Sequence, residues 1–273
     1  MSARLRGIAS ETEQIVAAGR YRAPDGREVP LADATAAART GTRTYGPGPV
    51  PVPSPPGLDT VVEVTGESST EAARRLADAP VAVLNFASAR NPGGGCLNGA
   101  QAQEEALCRA SALYTCLLEA REFYDHHRAD RDPLYSDRVI HSPGVPVFRD
   151  DRGRLLAEPC QVGFLTAAAP NAGVLRRTAP GRAAEIPAAL ATRAERVLET
   201  AAAHGYRRLV LGAWGCGVFQ NDPAQVAGAF RKLLGAGGRF ERTFEQIVFG
   251  VLDRTPGTTV REAFVRAFAS AGV

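Results

Sequence analysis

From residue 58 onward, short runs of aliphatic and β-branched residues alternate with helical patterns, and few folds accommodate that alternation. "LDTVVEV", "VAVLNF", "CQVGFLTA", "RRLVLGAW" and "QIVFGVLD" read as strands, with further extended segments at "RVIHS" and "PVFRD". Helices are expected over "STEAARRLADA", from about Gln101 to Arg121, around 184–204, after Pro223 and around 259–270. Strands that are apolar on both faces belong inside a sheet covered from both sides. The expected class is therefore α/β with a mixed, largely buried sheet. Upstream, Leu5, Ile8, Ile15 and Val16 form one apolar stripe, so the first 20 residues read as a helix. Asp25-Gly26 supplies the turn of a short hairpin. "YGPGPVPVPSPPG", residues 45–57, is too rich in proline for helix and reads as an extended linker. Two parts are expected: 1–57 as an N-terminal helical extension with its proline-rich linker, and 58–273 as the main domain.

Hydrophobic residues make up 45% of the 273, enough for a globular core rather than wholesale disorder. The net charge is only +3, Lys232 is the one lysine, and no basic block occurs, so sequence-specific nucleic-acid binding is not expected. No apolar run approaches the ~18 residues of a spanning helix. The start, "MSARLRGIASETEQIV", lacks the apolar core of a signal peptide. Five cysteines, an odd count without CxxC or zinc-finger spacing, suggest free thiols in a reducing compartment. A cytoplasmic protein without membrane attachment is the expectation. No metal or cofactor is expected, because no ligand cluster has credible spacing. His126 and His127 sit in a polar stretch and are expected to be solvated; His141 and His204 are expected to be structural.

Two loops after strands are rich in glycine, and ligands of open α/β sheets sit beyond the carboxyl ends of strands. One runs from Asn91 to Gly99 and contains Gly93, Gly94 and Gly95. The other is "GAWGCGVFQNDP", residues 212–223, in which Gly215 and Gly217 flank Cys216 and expose successive backbone N–H groups to an anion. Asp222-Pro223 reads as an N-cap followed by proline at the first helical position. The apolar pair Val218 and Phe219 at the loop tip calls for a partner, and Phe219 is placed to stack on a ribose or base. Neither loop matches GxxxxGK[ST] or a Rossmann fingerprint. Glu104 and Glu105 open a helix, a position where acidic residues are common because they complement the macrodipole. Adjacent helical residues point about 100° apart, so this pair cannot flank one glycosidic bond from opposite sides. One carboxylate serving as acid and then base, its neighbour holding a hydroxyl, is the arrangement compatible with glycosidic chemistry.

"GGGCLNGAQAQEE", Gly93 to Glu105, resembles the signature of poly(ADP-ribose) glycohydrolases: three glycines, a spacer of seven residues, then Gln103-Glu104-Glu105. "VLNFASARNPGGG", "LGAWGCGVFQNDP", "LRGIASETEQIVAAGRY" and "YSDRVIHSPGVPVFRDD" are similar to the microbial form of that family, so the resemblance spans nearly the whole chain. It implies a macrodomain-like α/β/α sandwich with a mixed central sheet and an ADP-ribose cleft. It implies hydrolysis of the ribose–ribose bond, from the chain end, with Glu105 as the catalytic acid and Glu104 holding ribose hydroxyls. Asn91, Gly93, Gly94 and Gly95 would line the distal ribose and phosphate side, and Gln103 would also bind substrate. Gly215, Cys216, Gly217, Val218 and Phe219 would form the diphosphate loop, Phe219 packing on the terminal ribose. The implied partners are poly(ADP-ribose) or ADP-ribose, with ADP-ribosylated proteins as substrate carriers. Two alternatives share this cleft: a hydrolase of mono-ADP-ribosylated protein or nucleic acid, and a non-catalytic ADP-ribose-binding module.

Overall fold

The computed structural model describes residues 2–269. The elements in order are α1 (Ala3–Ala18), β1 (Arg20–Arg22), β2 (Glu28–Pro30), α2 (Ala32–Gly41), β3 (Arg43–Tyr45), β4 (Val61–Thr65), α3 (Ser69–Leu76) and β5 (Val81–Phe86). They continue with α4 (Gln103–Ala110), α5 (Leu113–Leu117), α6 (Arg121–Ala129), β6 (Val139–Arg149), β7 (Leu155–Ala167) and α7 (Ala172–Thr178). The last five are α8 (Ile186–Ala203), β8 (Arg208–Leu211), α9 (Pro223–Leu234), β9 (Gln246–Gly250) and α10 (Thr259–Phe268). The expected final helix ran to residue 270, which lies outside the described residues.

Seven strands form one sheet in the order β3-β6-β7-β5-β8-β9-β4. The five strands from β7 to β4 are parallel to one another, and β3, β6 and β7 pair antiparallel. The sheet is therefore mixed. Side chains alternate across it as the two-residue period requires. Ala82, Leu84, Leu209, Leu211, Ile247 and Phe249 pack with α8, α9 and α10 on one face. Val81, Val83, Val210 and Val248 pack with α3, α4 and α5 on the other. Both faces are buried, which is why the strands read as continuous apolar runs. The result is the expected α/β/α sandwich. β3, from within the first 57 residues, forms the antiparallel edge of the same sheet, and α1 packs on the 3-10 turn Cys96–Asn98 and on α4. Among the described residues, no helix is long and apolar enough to cross a membrane.

Local signals explain the element ends that matter for the site. Ser68 and Glu71 form a reciprocal capping box at the start of α3. The Asp222 side chain accepts from the Ala224 N–H, and Pro223 takes the first position of α9, as expected. The single helix expected from about 101 to 121 is instead two, α4 and α5, with α6 starting at its far end. Ser111 interrupts it in extended conformation and bridges to Val147 of β6, while the Ala112 N–H donates to the Pro146 carbonyl. A long-range bond to the sheet has replaced a local helical one, and sequence periodicity carries no record of that choice. His127 also departs from expectation. It is 1% exposed on α6, with Nδ1 on the Phe123 carbonyl oxygen at 2.8 Å and Nε2 on the Ser136 hydroxyl at 2.8 Å.

Candidate active site

β5 and β8 are parallel neighbours at the centre of the sheet, so the loops that leave their carboxyl ends meet. They border a cleft of about 1580 Å³. Asn91, Gly94, Gly95, Gln103, Glu104 and Glu105 line it from the first loop and α4; Gly215 to Phe219 line it from the second. Gly93 lies behind the first loop, buried, with φ +65°.

The first loop is an ordered turn. Gly94 donates to the Asn91 carbonyl at 3.0 Å and Cys96 to the Gly93 carbonyl at 3.1 Å. Gly94, at φ +57°, occupies backbone space that L-residues avoid, and a Cβ there would lie 2.5 Å from Glu105 Oε1. The Gly95 N–H donates to that same oxygen at 3.0 Å. Glycine is required here because the backbone itself touches the carboxylate.

The two glutamates have different surroundings, as neighbours 100° apart on a helix must. Glu104 is 2% exposed and points inward. Its Oε2 accepts from the Ser88 N–H at 2.7 Å and its Oε1 from Asn85 Nδ2 at 3.3 Å. Burial pushes its carboxyl up to about 8, against those two donors, which favour the charged form, and with the help of the neighbouring Glu105 charge. Glu104 is therefore largely protonated at neutral pH and carries an O–H that can donate. Glu105 is half-buried in the cleft wall; the Gly95 N–H holds Oε1, and among the described residues Oε2 has no partner. Gln103 ties the first turn of α4 to β5: its Oε1 accepts from the Phe86 N–H at 2.9 Å, and its Nε2 donates to the Leu84 carbonyl at 2.8 Å and the Ser69 hydroxyl at 3.0 Å.

The second loop is anchored by Trp214, fully buried, whose indole N–H donates to the Ala167 carbonyl at 3.0 Å. Asn221 closes it, with Nδ2 on the Pro170 carbonyl at 2.8 Å and on the Gly215 carbonyl at 3.2 Å. Gly215 takes φ +69°, and a Cβ would strike Ala169 and Asn221. Gly217 has no positive φ and faces open space, so only Gly215 uses the left-handed backbone that glycine permits. Among the described residues, the N–H groups of Gly217, Val218 and Phe219 meet no acceptor in the protein. The three residues line the cleft, and successive free donors of this kind suit an anion. Val218 is 81% exposed. Phe219 is half-buried, its ring tilted against Tyr135 at 5.8 Å. Burial pushes the Cys216 thiol up to about 12, so it is not a poised nucleophile.

Sequence reasoning did not single out Asn85 and Ser88, which position Glu104, or Tyr114, whose ring packs against Gly93. Asn85 left a signal: it is the one polar residue in the otherwise apolar core strand "VAVLNF". Ser88 works through its backbone N–H and left none.

Residues 9–150 match the family described as microbial-type PARG, catalytic domain. The crystal structure of poly(ADP-ribose) glycohydrolase from Thermomonospora curvata is 51% identical, with a TM-score of 0.89, covering 98% of this chain and 100% of that one. The same enzyme bound to the inhibitor ADP-HPD gives the same values. Poly(ADP-ribose) glycohydrolase from Deinococcus radiodurans in complex with ADP-ribose is 45% identical, with a TM-score of 0.81 over 89% of this chain and 99% of that one. Comparison with curated protein sequences gave no match. A glycine turn held against one member of a carboxylate pair, facing a row of free N–H donors across a cleft, sits within the fold of these enzymes, and the chain belongs to the microbial-type poly(ADP-ribose) glycohydrolases, a family of glycosidases.

Proposed function

We propose that Glu105 is the general acid and base of ribose–ribose bond hydrolysis, and that ADP-ribose leaves from the polymer end. The observation that carries the assignment is the Gly95 N–H fixed on Glu105 Oε1, which orients this carboxyl at the cleft wall while Glu104 turns inward. Protonated Glu105 donates to the departing 2′-oxygen, and the ribosyl C1″–O bond breaks to an oxocarbenium-like ribose. Ionised Glu105 then takes a proton from water as the water oxygen bonds to C1″. Glu104, neutral through burial, donates to a ribose hydroxyl and fixes the sugar. Asn91, Gly94 and Gly95 line the ribose and adjoining phosphate, with Gly93 buried behind them rather than in contact with the sugar as expected; the Gly217 to Phe219 donors take the diphosphate, and Phe219 packs on the terminal ribose. The relative crystallised with ADP-ribose supports that ligand class. ADP-ribosylated proteins are the carriers of the substrate, and a reducing cytoplasm is its setting; five free cysteines accord with it.

Glu105→Gln keeps shape and removes the acid, and turnover of poly(ADP-ribose) is expected to fall by about 10²–10⁴-fold. Released ADP-ribose is the readout, with mono-ADP-ribosylated protein as a parallel substrate. A Glu105→Gln protein at wild-type rate refutes the assignment. Faster release from the mono-modified protein than from polymer moves the substrate to the alternative class.

A further inference from the structure

Behind the glycine turn lie two sulfurs that the proposed mechanism does not use. Cys96 immediately follows Gly95 at the start of the 3-10 turn, and Cys108 lies on α4, one helical turn beyond Glu104. Both are free and buried, at 3% and 2% exposure. A Cβ placed on Gly93 would lie 3.2 Å from each sulfur, so the two flank the same backbone point. The two thiols influence each other: Cys108 lowers the Cys96 thiol, and Cys96 raises that of Cys108.

We propose that Cys96 and Cys108 are a redox-modifiable pair that closes into a reversible disulfide, linking the glycine turn to the helix that carries Glu104 and Glu105. The consequence for activity rests on the reading of that turn and helix as the catalytic framework; the bond itself does not. Cys96 is the attacking sulfur, because the neighbouring Cys108 lowers its thiol while that of Cys108 is raised. Glu13 and Glu105 oppose the thiolate charge, and Arg109 lies close enough to favour it. The oxidant is a peroxide. The Cys96 thiolate attacks one peroxide oxygen, the O–O bond breaks, and a sulfenic acid and hydroxide form; the hydroxide takes up a proton as water. Cys108 then attacks the Cys96 sulfur, giving up its proton, and the S–OH group leaves as a second water. Peroxide is little larger than water. Gly94 and Gly95, which immediately precede Cys96, line the cleft without side chains, and Tyr114, whose ring packs on Gly93, lines it too. Closure to an S–S bond of about 2.05 Å draws the turn and α4 together and shifts the Gly95 N–H relative to Glu105.

The test treats the reduced full chain with hydrogen peroxide, maps disulfides by mass spectrometry of a non-reducing digest, and follows turnover before and after dithiothreitol. A Cys96–Cys108 cross-link is expected, with turnover reduced by up to about 10²-fold and restored by the reductant. Cys96→Ala, checked for a native thermal transition, is expected to keep its own rate through the same exposure. Cys108→Ala is expected to hold a sulfenic acid on Cys96 that dimedone captures. Failure to find the cross-link in the wild-type chain overturns the pair, and it needs no variant to fold. An equal, reversible loss in Cys96→Ala overturns the link to activity. Wild-type turnover by Glu105→Gln would overturn the catalytic reading while leaving a mapped cross-link standing.

Discussion

Gly94 is where backbone conformation and chemistry coincide most closely. Its φ of +57° disfavours a side chain by about 1–2 kcal/mol, and a Cβ would lie 2.5 Å from Glu105 Oε1 and 3.2 Å from Glu104 Oε2. Gly94→Ala is therefore expected to push Glu105 away from the Gly95 N–H. Turnover falls on the order of 10²-fold, while circular dichroism still reports the native sandwich. Unchanged kcat in a folded Gly94→Ala protein would show that the turn has slack. Gly217 provides the contrast, since it has no positive φ and nothing within 4 Å. Gly217→Ala is expected to leave stability within about 0.5 kcal/mol, as surface substitutions do, and to raise KM, because the added methyl faces the space assigned to diphosphate. A raised KM beside an unchanged denaturant midpoint is the pattern to look for. The two glycines were equally visible in the sequence. What distinguishes them, the sign of φ and the atom a Cβ would meet, exists only after folding.

At the scale of elements, α4 aims the paired carboxylates, and it is held from three sides. Gln103 latches its first turn to β5, Asn85 and Ser88 hold Glu104, and Thr12 of α1 grips its last turn. Thr12 is fully buried; its hydroxyl donates to the Arg109 carbonyl at 2.8 Å and accepts from Arg149 Nε at 3.0 Å. Thr12→Val keeps the volume and strands both partners in the interior. A loss of about 1–3 kcal/mol follows from leaving buried polar groups unpaired, measured as a lower urea midpoint at unchanged slope; a midpoint equal to wild type would mean that water or a shifted Arg149 replaces the hydroxyl. The elements most legible in the sequence were those fixed by local signals: β5 over "VAVLNF", α9 behind Asp222-Pro223, the hairpin around Asp25-Gly26. The break at Ser111 was not legible, because it is decided by β6, some thirty-five residues further on. α2 and α7 passed unread for a similar reason. Their short helical stretches draw support from the sandwich they pack on more than from any strong apolar period of their own.

Across the whole molecule, opposing buried titrations set where the fold is most stable. His127 and His141 are buried, and burial holds their imidazoles at about 4 and about 3, below the ordinary 6.5. Below pH 6.5 the unfolded chain takes up protons that the folded one refuses. Their contribution is whole above 6.5 and is lost as pH falls towards those lower values. His204, stacked on His141 with ring centroids 3.7 Å apart, is lowered by burial in the same sense. Glu104 works in reverse. Burial raises it from 4.5 to about 8, so the folded state holds a proton that the unfolded chain has released. Its contribution is whole below 4.5 and is lost as pH rises through about 8. Burial also raises Glu13 and Asp151, in the same direction as Glu104. Between 4.5 and 6.5 the three histidines outweigh Glu104, and above 6.5 the carboxyl acts without them, so the thermal midpoint is expected to peak near pH 6.5 and fall towards pH 8. Glu104→Gln should flatten the fall from 6.5 to 8 and leave the acid limb in place, because Gln carries no proton to lose. A midpoint that climbs steadily through pH 8, or a Glu104→Gln protein with the wild-type alkaline slope, would mean that the donors from Ser88 and Asn85 outweigh burial and keep Glu104 charged. In that state Glu104 could only accept from a ribose hydroxyl, and its proposed part in holding the sugar would reverse direction.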